Sequence, residues 1–202
     1  HQVLSRFQNL QENYLNAAPA LAAQQLFIGG CDHRLRVLEP QSGTPGHVYD
    51  VESYIPANVA IRHGKVFVGT FAGSLRCYEA ESDAENPLVW RCDLPESMVG
   101  APAVNDRWVI AATRKGQVHA LDRQRGEKLW SVKIAASISS SPVIDERRGL
   151  IAAEDGRLFL LNLDDGALEW SYDLGGAVLA SPVAAGDYVY LGTENGWFFA
   201  FQ

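Results

Sequence analysis

The stretch SPVIDERRGLIAAEDGRLFLLNLDDGALEW, residues 141–170, contains one complete copy of the unit from which this chain is built. It opens on a short β-rich run whose Pro stands at the strand entrance, where a missing N–H is tolerated. Its Asp155-Gly156 and Asp165-Gly166 pairs are typical of tight turns. The predicted strands are 141–144, 150–153, 157–162 and 169–172. The stretch therefore predicts four antiparallel strands in sequence order.

Glycine, proline and tryptophan recur along the whole chain with the period of this unit. Gly73, Gly116, Gly156 and Gly196 are separated by 43, 40 and 40 residues, and Pro56, Pro102, Pro142 and Pro182 by 46, 40 and 40. Trp90, Trp130 and Trp170 step by 40. A period near 40 with strand-like content is typical of propeller blades. We therefore expect an all-β propeller, one domain over residues 1–202, with blades starting near residues 18, 55, 101, 141 and 181.

The repeated residue types suit particular places in such a blade. The hairpin glycines and the set Gly43, Gly126 and Gly166 are expected at positive φ in turns. The outer-strand tryptophan is large enough to cover the gap between neighbouring blades. The first repeat departs from this pattern, because His33 replaces the hairpin glycine and His47 replaces the tryptophan.

The two ends of the chain carry incomplete repeats. Residues 182–202 supply three strands without an outer one, and Phe7 precedes Pro19 by the 12 residues that separate each tryptophan from the next proline. Residues 2–8 are therefore predicted to form an outer strand. Five inner sets and five outer strands make a closed five-bladed ring arithmetically possible.

Composition excludes several classes of function. The formal net charge is −7, and no Lys/Arg block offers the basic stripe that nucleic acid requires. The apolar runs are far shorter than the ~20 residues of a membrane-spanning helix. Cys31, Cys77 and Cys92 are odd in number and widely spaced, which favours buried thiols. A bridge between Cys77 and Cys92 is the alternative, since the two fall on neighbouring predicted strands.

The motifs at 141–170, SPVAAGDYVYLGTENG at 181–196 and VHALDRQRGEKLW at 118–130 resemble the repeat of the pyrroloquinoline quinone (PQQ) enzymes over about residues 17–202. More narrowly, the chain resembles the BamB-like bacterial propeller proteins, which implies an extracytoplasmic place, periplasmic or exported. Propellers of this family usually have seven or eight blades. The chain is thus either a closed five-bladed ring or the last five blades of a longer propeller.

The resemblance to PQQ enzymes does not imply that this chain binds PQQ. PQQ dehydrogenases have an adjacent cysteine pair, a tryptophan platform and a catalytic Asp near a calcium ion, and this chain lacks a Cys-Cys pair. We expect no cofactor and no catalysis, because fold alone does not transfer function. A fragment or recognition module of a quinoprotein-type oxidoreductase is the alternative. A propeller that binds a small ligand or a carbohydrate in its inter-blade grooves is a weaker one.

Other chemical motifs are weak. Cys31, Asp32 and His33 are potential zinc ligands, but a hairpin that lost its glycine is the simpler interpretation. The acidic runs 154–156 and 164–166 lack the alternating ligands of a calcium loop and are expected to be turns. Residues 139–141, three serines, lack the GxSxG frame of a nucleophile elbow.

A binding surface is the remaining functional prediction. The hairpins between second and third strands and the connections from fourth to first strands are expected on one face, around the central channel. Aromatic residues and Arg dominate interaction hot spots, so Phe71 and Trp197 are expected anchors for a protein partner. The predicted face comprises Asp32, His33, Phe71, Arg114, Lys115, Glu154, Asp155, Glu194, Asn195 and Trp197.

Overall fold

The computed structural model describes residue 15, residues 17–82 and residues 84–202. The predicted outer strand at 2–8, with Phe7, lies outside these residues. The part of the chain that the structure describes is all-β and forms five antiparallel sheets, which confirms the predicted fold class.

Each sheet consists of consecutive strands. The first blade contains β1 (Ala20–Ala22), β2 (Gln25–Ile28), β3 (Arg34–Leu38) and β4 (Pro45–Asp50). The second contains β5 (Ala60–Arg62), β6 (Lys65–Gly69), β7 (Ser74–Glu79) and β8 (Leu88–Asp93). The third contains β9 (Ala103–Val104), β10 (Trp108–Ala112), β11 (Gln117–Asp122) and β12 (Lys128–Lys133). The fourth contains β13 (Val143–Ile144), β14 (Arg148–Ala152), β15 (Arg157–Asn162) and β16 (Leu168–Asp173). The fifth contains β17 (Val183–Ala185), β18 (Tyr188–Gly192) and β19 (Phe198–Phe201).

The fourth blade differs slightly from the strands predicted for it. Its second strand begins at Arg148 rather than at residue 150, because the Asp145 side chain shortens the turn. The Asp145 carboxylate accepts hydrogen bonds from the backbone N–H groups of Arg147 and Arg148, at 2.6 and 2.7 Å. Side-chain turns of this kind let a chain reverse direction within four residues.

The apolar cores lie between neighbouring blades. Val118 and Ala120 of β11 pack in one cluster with Ile151 and Phe159 of the fourth blade. Because successive residues of a strand point to opposite faces, each blade contributes alternate side chains to two such clusters. The central blades are therefore held on both faces.

Tryptophans seal the outer part of two junctions, as predicted. Trp90 of β8 packs on Gly126 in the β11–β12 turn of the next blade, and its indole Nε1 donates to the carbonyl of Arg123 at 3.0 Å. Trp130 has the same relation to the fourth blade. Both turn glycines have positive φ, and so do the four hairpin glycines.

The three cysteines form no disulfide. Cys77 lies opposite Trp90 in the β7–β8 pairing, and Cys92 lies opposite Leu75, so the two cysteines are on neighbouring strands without facing each other. Burial raises the pKa of the Cys77 thiol to about 12. The thiol therefore stays protonated and unreactive at neutral pH.

Among the described residues there is no helix with the length and apolar character that crossing a membrane requires.

Candidate interaction surface

Backbone hydrogen bonds place the hairpin tips beside the connections that enter the same blade. The tips of the second to fifth blades each donate one N–H to a carbonyl of the preceding connection. The pairs are Phe71 to Tyr54 (3.0 Å), Arg114 to Ser97 (2.8 Å), Glu154 to Ser137 (3.2 Å) and Glu194 to Ala177 (2.9 Å). These tips and connections therefore emerge at one edge of the blades, which we call the hairpin face (residues 30–33, 70–73, 113–116, 153–156, 193–196 and the preceding connections).

A second set of bonds fixes the tips of the first four blades, each from within its own blade. The residue that follows the outer strand donates its N–H to the carbonyl of the last tip residue. The pairs are Val51 to His33 (2.8 Å), Leu94 to Gly73 (3.0 Å), Ile134 to Gly116 (3.0 Å) and Leu174 to Gly156 (2.8 Å). A backbone held on both sides leaves the tip side chains to vary on a rigid frame.

The second blade presents an aromatic pair at its tip. The rings of Phe71 and Tyr54 are stacked, with centroids 4.5 Å apart and planes inclined by 19°. Both residues are half-buried. Stacked aromatic side chains of this kind offer a large contact area in fixed geometry.

The third blade presents a basic tip. Arg114 and Lys115 are both exposed. Neither side chain forms an ion pair with any residue that the structure describes. Two cations without an internal partner can serve an acidic ligand without first breaking an intramolecular bond.

The fourth blade presents an acidic tip whose charges already have contacts. Asp155 accepts a hydrogen bond from Arg157 at 2.6 Å, and this bond raises the pKa of the Arg157 guanidinium. The Glu154 carboxylate accepts a hydrogen bond from Ser139. This tip is a turn with internal polar bonds, as predicted for residues 154–156.

The fifth blade presents polar and aromatic side chains. Asn195 donates to the carbonyl of Gly175 at 3.0 Å and accepts from the Thr193 hydroxyl at 2.6 Å. Glu194 is exposed, and Trp197 is 65% exposed. Trp197 is therefore available for contact, while the amide of Asn195 serves the turn.

The first blade does not present both of its predicted residues. The Asp32 side chain is only 2% exposed and is paired with the buried guanidinium of Arg36, which holds the pKa of Asp32 below its usual range. His33 is exposed and takes the left-handed conformation at φ 64° that the other tips give to glycine. Asp32 is a structural residue here, because its carboxylate is held by Arg36.

One buried pair behind this face was missed by the sequence analysis. His119 of β11 is 3% exposed at its side chain, and its Nε2 lies 3.7 Å from the carboxylate of Glu96. Neither imidazole nitrogen has a hydrogen-bond partner, and burial lowers the pKa of His119. Glu96 directly precedes Ser97, which binds the tip of the third blade. The sequence did carry one signal for this pair. His119 is the third residue of β11, and the third residues of β3 and β7 are also polar, Arg36 and Arg76.

The described residues do not resemble a quinone site. Trp90 and Trp130 are used in blade packing, with their indole N–H groups bonded to backbone carbonyls. Within the described ranges, no three His, Cys, Asp or Glu side chains are grouped to hold a metal ion. Trp90 and Trp130 are therefore not free to form a platform for a quinone.

Comparison with solved structures shows the same fold in three proteins. BamB from Moraxella catarrhalis is 22% identical, with a TM-score of 0.78 over 93% of this chain and 57% of that one. The computationally designed Ika8 protein is 18% identical, with a TM-score of 0.80 over 98% and 61%. A quinohemoprotein alcohol dehydrogenase from Pseudomonas putida HK5 is 16% identical, with a TM-score of 0.75 over 94% and 40%. The chain thus spans about three fifths of the first two proteins.

No curated protein sequence matches the chain significantly. The repeats and the structural neighbours together define the class: the chain is a β-propeller built from PQQ-like repeats. A sequence model of the family described as outer membrane protein assembly factor BamB matches residues 15–134 and 114–202. The chain belongs to this family.

Proposed function

We propose that this chain is a non-catalytic scaffold that binds a protein partner through its hairpin face, in an extracytoplasmic compartment. The observation that carries the proposal is the double set of backbone bonds at the tips of the second, third and fourth blades, which presents different side chains on one fixed edge. The family description, an assembly factor for outer membrane proteins, supports a role among proteins of that process.

The second and third blades supply the most suitable anchors. The Tyr54–Phe71 stack adds apolar area at the tip of the second blade, and Arg114 and Lys115 add exposed positive charge at the tip of the third. Interfaces commonly combine an aromatic anchor with charges that select the partner. The expected partner surface therefore places acidic side chains next to an apolar one.

Site-specific photo-crosslinking in a bacterial host tests this assignment. A photoreactive amino acid at position 71 or 114 should give the same discrete crosslinked protein, identified by mass spectrometry. The control position is Leu129, an exposed apolar residue on the outer strand β12. The proposed face would be contradicted if positions 71 and 114 gave no crosslinked partner. It would also be contradicted if the partner were crosslinked from position 129 alone.

A further inference from the structure

The junction between the first and second blades lacks the tryptophan seal. His47 stands in β4 where the following blades have Trp90 and Trp130, and its exposed ring stacks on Tyr49 at 5.8 Å. Asn86 stands four residues before Trp90, where the later blades have their turn glycine. The groove between these two outer strands is therefore open.

A cavity of about 280 Å³ occupies this groove. Its wall from the first blade carries the acids Asp50 and Glu52, and its wall from the second carries Arg76 and Arg91. The stacked rings of Tyr49 and Tyr78, 5.6 Å apart, lie between the walls. Glu85 also lies in the wall from the second blade, so the groove has acids on both sides, arginines on one side and the two tyrosines between them.

Arg76 is the buried cation of this cavity, with a side chain that is 4% exposed. Its Nε donates to the hydroxyl of Ser74 at 3.1 Å, and its Nη1 donates to the carbonyl of Asp50 at 3.3 Å. Its Nη2 makes no hydrogen bond, although the Glu52 carboxylate lies 3.1 Å away. Arg76 is therefore a fixed positive charge in the wall of the cavity, held by Ser74, by the Asp50 backbone and by the Glu52 carboxylate.

Glu52 links the two walls. Its carboxylate accepts from the Nη1 of Arg91 at 2.8 Å, and its backbone has the left-handed φ of 63°. Its side chain is 61% exposed, so it can turn toward a ligand. The guanidinium groups of Arg91 and Arg76 lower the pKa of Glu52, which keeps the carboxylate ionised.

The balance of charge decides which ligand fits. Three acids line the cavity, since Glu85 joins Asp50 and Glu52, against two arginines. A ligand with a single charge would meet groups of its own sign as well as groups of the opposite sign, since acids and arginines share the lining. A neutral hydroxyl group both donates to carboxylates and accepts from guanidinium groups.

We propose that this cavity binds a neutral saccharide, with one sugar ring held between the two walls. Its hydroxyls donate to Glu52, which is 61% exposed, and accept from Arg91, which is 37% exposed. The volume lies near the lower end of ligand pockets, roughly 300 Å³, and suits a single ring. The cavity opens between β4 and β8, so this activity is independent of the partner proposed for the hairpin face.

Ligand-observed NMR with the purified chain tests the proposal. The probes are D-glucose, D-galactose and N-acetyl-D-glucosamine, with sodium acetate and methylammonium chloride as charged comparisons. At least one sugar should bind, and its affinity should be unchanged when NaCl is raised from about 50 to about 500 mM, because no net charge is screened. If no sugar binds, or only a charged probe does, the proposal is wrong.

Two variants identify the ligand class by the direction of their effects. For a neutral sugar, Glu52→Ala and Arg91→Ala should each weaken binding about tenfold, since each removes a charged hydrogen-bond partner. Tighter binding by Glu52→Ala would indicate an anion site, and tighter binding by Arg91→Ala a cation site; either result overturns the proposal. Arg148→Ala is the matched control, because it breaks an exposed ion pair with Glu169 in the fourth blade. Circular dichroism checks that all three variants fold.

Discussion

Trp130 packs against Gly166 of the next blade and donates its indole N–H to the carbonyl of Leu163 at 2.8 Å. A Cβ at Gly166 would lie 2.7 Å from the indole ring, and the φ of this residue is +75°. Position 166 therefore requires glycine for two reasons: the positive φ of the turn and the close contact with Trp130.

Gly166→Ala should destabilise the fold more than an alanine at a turn glycine without such a contact. Gly175 is the matched control, with φ +70° and nothing within 4 Å of a Cβ. Gly175→Ala should lower the free energy of unfolding by about 1 kcal/mol through backbone strain. Gly166→Ala should cost roughly 1 to 3 kcal/mol more by displacing Trp130. Urea denaturation measures both, and equal losses would mean that the tryptophan contact adds nothing.

His33→Gly should stabilise the first blade. His33 has φ 64° at the position where the other four tips have glycine. Removing its Cβ should relieve strain and raise the free energy of unfolding by about 1 kcal/mol. His33→Ala keeps the strain and should bring no such gain in the same denaturation assay. A loss of stability in His33→Gly would show that the imidazole makes a contact that outweighs the strain.

Asp32→Asn should be among the most damaging changes at a hairpin tip. It replaces the anion that pairs with the buried Arg36 by a neutral amide, and weakening a buried ion pair in this way typically costs about 3 kcal/mol. Asp155→Asn is the control at the corresponding place in the fourth blade. Its ion pair with Arg157 is more exposed, so the loss there should stay below about 1 kcal/mol. Similar losses at both positions would contradict the structural role of Asp32.

The contribution of Asp32 should also depend on pH in a defined direction. The hydrogen bond from Arg36 lowers the pKa of Asp32 in the folded state. A lowered pKa gives stability that is fully present above the unfolded pKa of about 3.9 and is lost as pH falls through the folded value. The stability difference between wild type and Asp32→Asn should therefore be constant near pH 6 and shrink in strong acid. A difference that grows on acidification would contradict this assignment.

Cys77 should resist alkylation in the native protein. With a pKa of about 12, about one thiol in ten thousand is ionised at pH 8, and the side chain is fully buried. Iodoacetamide followed by mass spectrometry should modify Cys77 only after urea is added. If native Cys77 reacted as fast as a solvent-accessible thiol, β7 would open more readily than its packing suggests.

The sequence predicted the features that depend on spacing and turn chemistry. The glycines, the outer tryptophans and the order of strands follow from residue types that only certain backbone positions accept. The structural role of Asp32 could not be predicted from the sequence, because its burial depends on the ion pair with the Arg36 side chain. The groove beside Arg76 could not be predicted either. The sequence shows that His47 replaces a tryptophan, but only the structure shows which side chains line the space that this leaves. The His119–Glu96 pair joins a strand of the third blade to the connection that enters this blade, and only the fold reveals that the two residues meet.

The proposed protein-binding face is tested most directly by reversing its unpaired charges and measuring partner affinity. The variant is Arg114→Glu with Lys115→Glu, and the matched control is Arg125→Glu with Lys128→Glu, two exposed cations at the opposite end of the same blade. Isothermal titration calorimetry with the crosslinked partner should show at least about a tenfold weaker Kd for the tip variant. The control should bind like wild type. Equal affinity of the tip variant and wild type would contradict the account.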